Sequence, residues 1–241
     1  MIIEAFIIAW NREDTIHLTI NYYKSFCQKV SLYDNHSTDR TKDIAESLGA
    51  EVHTFGTPGV LNDQHYLDVK NNCWKGSLAD WVIVVDDDEI LYDDILDFKL
   101  KLGKSGQYTI IQPQGFGVFS NEMPKEKWTD ILTGVNDDNY SKFCVFDPKK
   151  IIEIGYIFGC HQAKPKGQIR VLNDLWLLHY RAVGGVDRLI ERHRLYEPRR
   201  QKSAINMKWG LGENYKYAIE NPQKTRDWFN ENLSKSVKLE L

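Results

Sequence analysis

Strand-like and helix-like segments alternate regularly through the first third of the chain. Apolar runs at residues 2–9, 30–34, 51–55 and 81–85 read as strands, and apolar residues at steps of three and four between them indicate helices. This alternation favours a parallel sheet that is covered by helices. In such sheets, the loops at the carboxyl ends of the strands gather the binding and catalytic groups. We therefore predict an α/β fold and look for function in those loops.

The pattern changes in the second part of the chain. Strand-like pieces at residues 108–112, 141–146, 169–172 and 175–180 are separated by turns rich in Gly, Pro and Asn. Helical patterns return from Val186 onward, with Pro222 in the first turn of a last helix. No repeat or linker divides the chain. We predict one domain over residues 1–241, with a Rossmann-like, mostly parallel sheet, flanking helices and a helical C-terminal tail.

Composition excludes several classes of protein. With 42% hydrophobic residues, 27% charged residues and a formal charge of −3, the chain should fold and lacks the basic excess of a dedicated nucleic-acid binder. No apolar run is long enough to cross a bilayer, and the start of the chain lacks the basic region of a secretion signal. The four cysteines form no CxxC pair. We expect a cytoplasmic protein, with a peripheral position at the inner membrane face as the alternative.

Four consecutive carboxylates, from Asp86 to Glu89, directly follow the apolar strand at residues 81–85. Like charges held close together repel, and carboxylates beside an apolar core need a counter-ion. A divalent cation is the simplest such partner, and Asp86 and Asp88 can both reach one ion that also holds phosphate oxygens. The alternative is an acidic turn or helix start in solvent. The apolar strand before the run favours a metal site.

Further segments support this interpretation through a resemblance. Four segments resemble motifs of family 2-like glycosyltransferases with the GT-A fold and occur in the same order: IIAWNRED, LYDNHSTDRT, VKNNCWKGSLADW and WVIVVDDDE. A fifth segment, LLHYR, resembles a late histidine element of that family. The resemblance covers about the first 100 residues and only isolated elements beyond them. It implies a nucleotide-sugar-binding half at residues 1–100, an acceptor half at 101–210 and C-terminal helices at 211–241.

The resemblance also implies a donor site. Asp34 would accept a hydrogen bond from the base, uracil, and Lys70 would contact the ribose or the phosphates. For the DNHSTDRT segment a helix-capping turn is the alternative, and for Asp63 it is ordinary helix surface. The donor-binding residues implied in this way are Ala9, Trp10, Asn11, Arg12, Asp34, Asp39, Asp63, Lys70, Asn71, Asp86, Asp87 and Arg181.

The metal ligands implied are Asp86 and Asp88, completed by His179 or His161. We choose His179 because it ends a strand-like run. An imidazole among carboxylates favours Mn²⁺ over Mg²⁺. The predicted catalytic residues are His161, Asp137 and Glu89.

The identity of the proton acceptor stays open, because the later Glu-Asp pair and the Gln-x-x-Arg-Trp element of the family are absent from the sequence. The candidates are Asp137, Asp138, Glu153, His161 and Asp174. The segment from Arg181 to Lys208 is rich in arginine and could neutralise a departing diphosphate or hold an anionic acceptor. A solvated helix with ion pairs such as Glu191 with Arg194 is the alternative.

These features together predict a metal-dependent glycosyltransferase that moves a sugar from a nucleotide diphosphate, UDP, to an acceptor hydroxyl with inversion of the anomeric centre. The partners are then a nucleotide-sugar donor and a glycan or another hydroxyl acceptor, with modified DNA retained among the acceptors. Two alternatives remain: a catalytically silent nucleotide- or carbohydrate-binding module, and another metal-dependent sugar-nucleotide enzyme. The segment AWNRED lacks the glycine-rich phosphate loop that a nucleotidyltransferase needs.

Overall fold

A computed structural model describes residues 1–93 and 107–239 of the chain. The boundary that we predict between the two halves, at residues 100 and 101, lies outside the described residues. The first part of the chain alternates strands and helices as predicted. Its elements are β1 (Ile3–Ala9), α1 (Ile16–Lys24), β2 (Lys29–Asp34), α2 (Thr41–Ser47), β3 (Glu51–Thr54), α3 (Asp63–Asn72) and β4 (Trp81–Asp86).

Local sequence explains these elements. Helix α1 buries Ile16, Ile20 and Tyr23, which share one face at steps of four and three. Helix α2 is followed by Gly49, whose φ of 77° is readily adopted by glycine. Helix α2 begins at Thr41, and the Asp39 carboxylate accepts a hydrogen bond from the Thr41 N–H at 3.0 Å.

The later strands extend the same sheet. They are β5 (Glu89–Tyr92), β6 (Ile110–Ser120), β7 (Thr133–Asn136), β8 (Val145–Phe146), β9 (Ile151–Glu153), β10 (Lys166–Gly167), β11 (Val171–Val183) and β12 (Val237–Lys238). Strand order in the main sheet is β12-β7-β6-β8-β4-β1-β2-β3, while β11 pairs with β5 and β6, and β9 pairs with β10 apart from the main sheet. The block β4-β1-β2-β3 is parallel throughout, which confirms the predicted fold class.

The predicted strands differ from the observed ones at several places, two of which concern the paired strands β5 and β11. The pieces predicted at residues 169–172 and 175–180 fall largely within one strand, β11, because its pairing with β6 continues across a register shift between Asn173 and Trp176. Strand β5 is absent from the sequence prediction. It follows the acidic run so closely that its apolar residues Ile90 and Leu91 do not form a separate pattern.

Four helices close the described part of the chain: α4 (Gly185–Gln201), α5 (Ala204–Trp209), α6 (Glu213–Glu220) and α7 (Pro222–Lys235). Pro222 occupies the first turn of α7, as predicted. Within the ranges described, none of the helices combines the length and apolar character needed to span a bilayer. Helix α4 packs against β11 and α6, and this position brings its side chains to the carboxyl ends of β1 and β4.

Candidate active site

The acidic run forms a tight turn between β4 and β5 that contains Asp87 and Asp88. Backbone hydrogen bonds fix this turn: the Asp87 N–H donates to the Ile8 carbonyl at 3.0 Å, and the Tyr180 N–H donates to the Asp88 carbonyl at 2.8 Å. The side chains of Asp87 and Asp88 are buried, with 5% and 6% of their residue surfaces exposed. The acidic segment is therefore held against the core and is not a solvated turn.

A cleft of about 330 Å³ lies at the carboxyl ends of β1 and β4. Its walls come from β1, the acidic turn, α3, β11, α4 and the segment around Tyr215. The predicted site residues that line it are Ala9, Trp10, Arg12, Asp63, Lys70, Asp86, Asp87, Asp88, His161, His179 and Arg181. The structure thus gathers residues that are up to 172 positions apart, from Ala9 to Arg181, around one opening.

Asp86 is paired with lysines. Its Oδ2 lies 2.7 Å from Lys70 Nζ and 3.8 Å from Lys142 Nζ. Burial would raise the pKa of Asp86, but these two cations outweigh it and lower the pKa below its ordinary value. Lys70, which is 3% exposed, is held charged in the same way, because Asp86 raises its pKa against the opposite effect of burial.

Asp88 lies at the centre of a second charged group. Its Oδ1 is 3.3 Å from His179 Nε2, and its Oδ2 is 3.2 Å from Arg192 Nη2 and 3.8 Å from Arg12 Nη2. Burial opposes ionisation, but His179 and Arg12 outweigh it, so the pKa of Asp88 lies well below its ordinary value. Arg12 also pairs with Asp87 through its Nε. Asp88 is therefore ionised and is contacted by side chains from three separate parts of the chain. Burial raises the pKa of Asp87 above its ordinary value, with Arg12 opposing this shift and the neighbouring Asp88 adding to it.

Glu89, one of the three predicted catalytic residues, makes its contacts inside the core. Its side chain is 1% exposed and does not line the cleft. One carboxylate oxygen accepts the Asp86 N–H at 2.8 Å, and the other lies 2.5 Å from Lys142 Nζ. Glu89 and Lys142 form a buried ion pair that supports the acidic turn from below the cleft.

Asp86, Asp88 and His179 are the three side chains that the sequence predicts as ligands of a divalent cation. Within residues 1–93 and 107–239, no group of three or more His, Cys, Asp or Glu side chains is arranged to hold a metal. Asp86 does not join Asp88 and His179, because Lys70 and Lys142 hold its carboxylate. Asp88 and His179 do converge at 3.3 Å, close to the roughly 3 Å that separates neighbouring ligands of one ion. A cation held by these two residues would need its remaining ligands from phosphate oxygens and water.

Besides Glu89, five predicted residues do not line the cleft. Asn11, with a φ of 48°, exchanges hydrogen bonds with Thr38 and joins the loops after β1 and β2. Asp39 supports the start of α2, and Asn71 binds the backbone of Tyr156 in both directions, with its Oδ1 accepting at 2.8 Å and its Nδ2 donating at 3.2 Å. These three have structural roles in the loops around the site.

The other two are Asp34 and Asp137. Asp34 is fully buried at the end of β2, where its Oδ2 accepts the Ser37 N–H at 2.8 Å. Asp137 accepts the Asn139 N–H at 3.1 Å at the start of a short 3-10 helix, Asp138–Tyr140. Of the three predicted catalytic residues, His161 lines the cleft, whereas Asp137 and Glu89 do not.

The position of His161 follows from the turn that precedes it. Gly159 and Cys160 both have positive φ, 84° and 56°, and this turn directs the chain back toward the cleft. His161 lies at the exposed rim, where its ring contacts Tyr140 at a centroid distance of 5.2 Å. Surrounding protein and Lys142 lower the pKa of His161, an effect that water around the exposed ring weakens. The imidazole is therefore neutral at pH 7 and able to accept a proton.

Helix α4 supplies cleft residues that were not assigned to the donor site from the sequence. Arg192 binds Asp88, and the Tyr196 hydroxyl accepts a hydrogen bond from Arg12 at 3.0 Å. Tyr196 also stacks on Tyr215 at 5.1 Å, with 17° between the ring planes. The spacing of four between Arg192 and Tyr196 places both on one helix face, a signal present in the sequence. Only the fold shows that this face meets the acidic turn.

His193 is the most buried histidine that lines the cleft, at 6% exposure, and neither ring nitrogen has a hydrogen-bond partner in the described part of the chain. Burial and the nearby Arg181 lower its pKa to about 4. A histidine in the unfolded chain titrates near pH 6.5, so protons bind the unfolded chain first as the pH falls. His193 therefore lowers stability progressively as the pH falls from about 6.5 to about 4.

We predict that the free energy of unfolding depends less on pH in His193→Phe than in the wild type. Between pH 7.5 and pH 5 the single histidine should contribute about 2 kcal/mol to the loss of unfolding free energy, and the phenylalanine variant should lack that contribution. Urea unfolding at both pH values measures it, with exposed His53→Phe as the matched control. Equal pH dependence in the wild type and His193→Phe would show that His193 is not held neutral by the fold.

Comparisons with known proteins agree with the motifs. No family model matches the sequence. An uncharacterized glycosyltransferase of Rickettsia bellii is 35% identical over 97 residues, which cover 39% of this chain and 30% of that protein, and one of Rickettsia typhi is 35% identical over 95 residues. The chain therefore spans less than a third of the length of these curated relatives. Their names confirm the resemblance to glycosyltransferases.

Two solved structures are similar over part of the chain. Glucosyl-3-phosphoglycerate synthase from Mycobacterium tuberculosis, in complex with Mn²⁺, UDP and glucosyl-3-phosphoglycerate, is 21% identical with a TM-score of 0.32, and the match covers 47% of this chain and 44% of that one. S. aureus TarS is 16% identical with a TM-score of 0.46, over 85% and 66% of the two chains.

Proposed function

We propose that this chain is a glycosyltransferase that binds a nucleotide diphosphate sugar, with UDP as the nucleotide, in the cleft at the carboxyl ends of β1 and β4. One observation carries the proposal: Asp88 meets His179 and Arg192 in a cleft that Lys70, Arg12 and Arg181 also line. Buried cations beside ordered carboxylates suit a diphosphate and its counter-ion. The sequence resemblance and the names of the curated relatives support the same activity.

Asp88 and His179 would hold the divalent cation, for which Mn²⁺ suits a mixed carboxylate and imidazole set and Mg²⁺ is the alternative. When bound, this ion would neutralise charge on the diphosphate leaving group. Since the protein supplies two ligands here, we expect the metal to bind much more tightly in the presence of the nucleotide than alone.

The arginine side chains that line the cleft would act on the diphosphate directly. Arg181 forms no ion pair in the described part of the chain, and its buried Nε has no partner. A guanidinium in this state can bind phosphate oxygens with two parallel hydrogen bonds. Arg181 and Arg192 would therefore stabilise the negative charge that develops as the bond between the sugar and the diphosphate breaks.

His161 would accept the proton of the acceptor hydroxyl as the oxygen attacks the anomeric carbon from the face opposite the diphosphate. This placement inverts the anomeric centre. The acceptor is then a molecule that presents a hydroxyl at the rim of the cleft, beside His161 and Tyr140. A glycan is the acceptor class that we propose.

The function is tested with a panel of nucleotide sugars, each incubated with Mn²⁺ and assayed for release of the nucleotide. Turnover of at least one UDP-sugar is the result expected. Binding of UDP with no turnover of any sugar would favour the second candidate, a silent nucleotide-binding module. Absence of both binding and turnover would contradict the proposal.

Replacing His161 by alanine should lower kcat by about 100-fold, because a positioned base contributes a factor of this size or more. The affinity for UDP should stay within about threefold of wild type, since the base does not contact the nucleotide in this scheme. Steady-state kinetics with the best donor measures the first quantity and calorimetry the second. His53→Ala, on an exposed histidine of β3, is the control. An unchanged kcat in His161→Ala would remove His161 from the mechanism.

A further inference from the structure

His193 lines the cleft but has no role in the function proposed above. The residue is 6% exposed, and neither Nδ1 nor Nε2 has a hydrogen-bond partner within residues 1–93 and 107–239. Buried polar atoms in native folds are nearly always hydrogen-bonded, because leaving them unpaired costs free energy. The exposed alternative is closed to this ring by its burial. Its two nitrogens therefore point to a group of a ligand that reaches them in the cleft.

Helix α4 presents His193 to the cleft as part of one continuous face. The residues of α4 that line the cleft are Leu189, Arg192, His193 and Tyr196, which recur at steps of three, one and three. This spacing is that of one side of an α-helix. His193 therefore faces the same cavity as Arg192, whose Nη2 lies 3.2 Å from Asp88 Oδ2.

Aromatic contacts fix the imidazole on this face. The His193 ring meets the Tyr215 ring at a centroid distance of 5.2 Å with 62° between the ring planes, and Tyr215 stacks on Tyr196 at 5.1 Å. Tyr215 also packs closely on Gly212, where a Cβ atom would lie 2.9 Å from the tyrosine ring. All four residues line the cleft, and contacts join each of them to the next. We call these four residues the α4–α6 wall.

The charge state of His193 decides which kind of group it can bind. Burial and the neighbouring Arg181 lower the pKa of His193 to about 4, so the imidazole is neutral at pH 7. A neutral imidazole has one N–H that donates and one bare nitrogen that accepts. A hydroxyl group both donates and accepts, so hydroxyl groups can satisfy either nitrogen. A carboxylate only accepts, and it would leave the bare nitrogen unpaired.

We infer that His193 is a specificity-determining residue for the transferred sugar, and that the α4–α6 wall takes a neutral, hydroxyl-bearing sugar in preference to a sugar acid. This inference rests on the proposed function. His193 directly follows Arg192, which binds Asp88, and Asp88 would hold the ion on the diphosphate. The sugar that the diphosphate carries would then lie beside this wall. The acceptor, by contrast, is expected at the rim, where His161 is exposed.

Calorimetric titrations in Mn²⁺ test the inference by comparing UDP with UDP-glucose, UDP-galactose, UDP-N-acetylglucosamine and UDP-glucuronate. In the wild type, we expect the best of the three neutral UDP-sugars to bind at least about tenfold more tightly than UDP-glucuronate. His193→Phe keeps a ring beside Tyr215 and removes both polar atoms. It should bind that neutral UDP-sugar about tenfold more weakly and UDP, which has no sugar, within about twofold of wild type.

Two further variants separate recognition of the sugar from a structural role of the ring. His193→Gln replaces the ring but supplies a donor and an acceptor, so it should recover part of the affinity for the UDP-sugar that His193→Phe loses. A packing role would give the reverse order, with His193→Phe close to wild type. If only His193→Gln folds, we expect it to bind the UDP-sugar about threefold more weakly than wild type, with UDP binding unchanged. His53→Phe, on an exposed histidine of β3, is the control.

Equal affinity of wild type and His193→Phe for the best neutral UDP-sugar would overturn the inference, and so would a wild-type preference for UDP-glucuronate. If only His193→Gln folds, unchanged affinity in that variant would overturn it. Each of these results leaves the proposed function standing, because UDP and a UDP-sugar still bind. Failure of the wild type to bind UDP or any of the UDP-sugars would overturn both.

Discussion

Asp88→Asn is expected to reduce sugar transfer by about 1,000-fold and to abolish the contribution of Mn²⁺ to UDP binding. The asparagine keeps the shape of the side chain and loses the charge that faces His179, Arg192 and Arg12. A neutral amide is a poorer ligand for a divalent cation than a carboxylate, and loss of one preorganised charge at the transition state typically costs a factor of about 100 to 1,000.

The comparison with a matched variant separates this effect from a general loss of folding. Asp43→Asn changes an exposed aspartate on α2, remote from the cleft lining, and should leave transfer and UDP affinity as in wild type. Initial rates with the best donor and UDP titrations with and without Mn²⁺ give the two readouts. If Asp88→Asn retains metal-dependent UDP binding, Asp88 is not a ligand of the cation.

Lys142→Met should lower the free energy of unfolding by about 3–5 kcal/mol, because it leaves Glu89 ionised and unpaired in the core. Lys142 is 3% exposed and Glu89 is 1% exposed, with 2.5 Å between Nζ and Oε1. The pair lies under the acidic turn, where Glu89 also accepts the Asp86 N–H. Its loss should therefore disturb both the stability of the fold and the geometry of the site.

Urea unfolding at pH 7 measures this change. Lys149→Met is the control, since Lys149 pairs with Asp80 on the surface at 3.0 Å and exposed pairs contribute less than about 1 kcal/mol. In the double variant Lys142→Met with Glu89→Gln, the buried charge is gone, so most of the stability should return. A loss below about 1 kcal/mol in the single variant would show that the buried pair of Glu89 with Lys142 does not stabilise the fold.

The first part of the fold was predictable because local signals agree there. Strand β1 and strand β4 are apolar runs buried on both faces, and α1 has a clear apolar stripe. Motif order then placed the carboxyl ends of these strands, and with them Trp10 and the acidic turn, at one edge. The second part depends on long-range strand pairing, such as that of β11 with β6 and β5. Local sequence patterns do not predict such pairing.

The site residues could likewise be predicted in the first part of the chain more readily than in the second part. Lys70, Arg12 and the acidic turn were found because they lie next to regular elements whose arrangement the sequence predicts. Lys142 was missed: it is a single lysine near the start of a predicted strand, and its burial beside Glu89 arises only when β8 pairs with β4. Sequence reasoning also assumed that a metal would pair the carboxylates, whereas lysine and arginine side chains of the chain balance Asp86 and Asp87.

The central claim is that the cleft around Asp88 binds a nucleotide diphosphate together with a divalent cation. Calorimetric titration of UDP into the wild-type protein, in Mn²⁺ and again in EDTA, tests it most directly. We predict saturable 1:1 binding in Mn²⁺ and at least tenfold weaker binding in EDTA, about 1.4 kcal/mol or more. Absence of binding in both solutions would contradict the account.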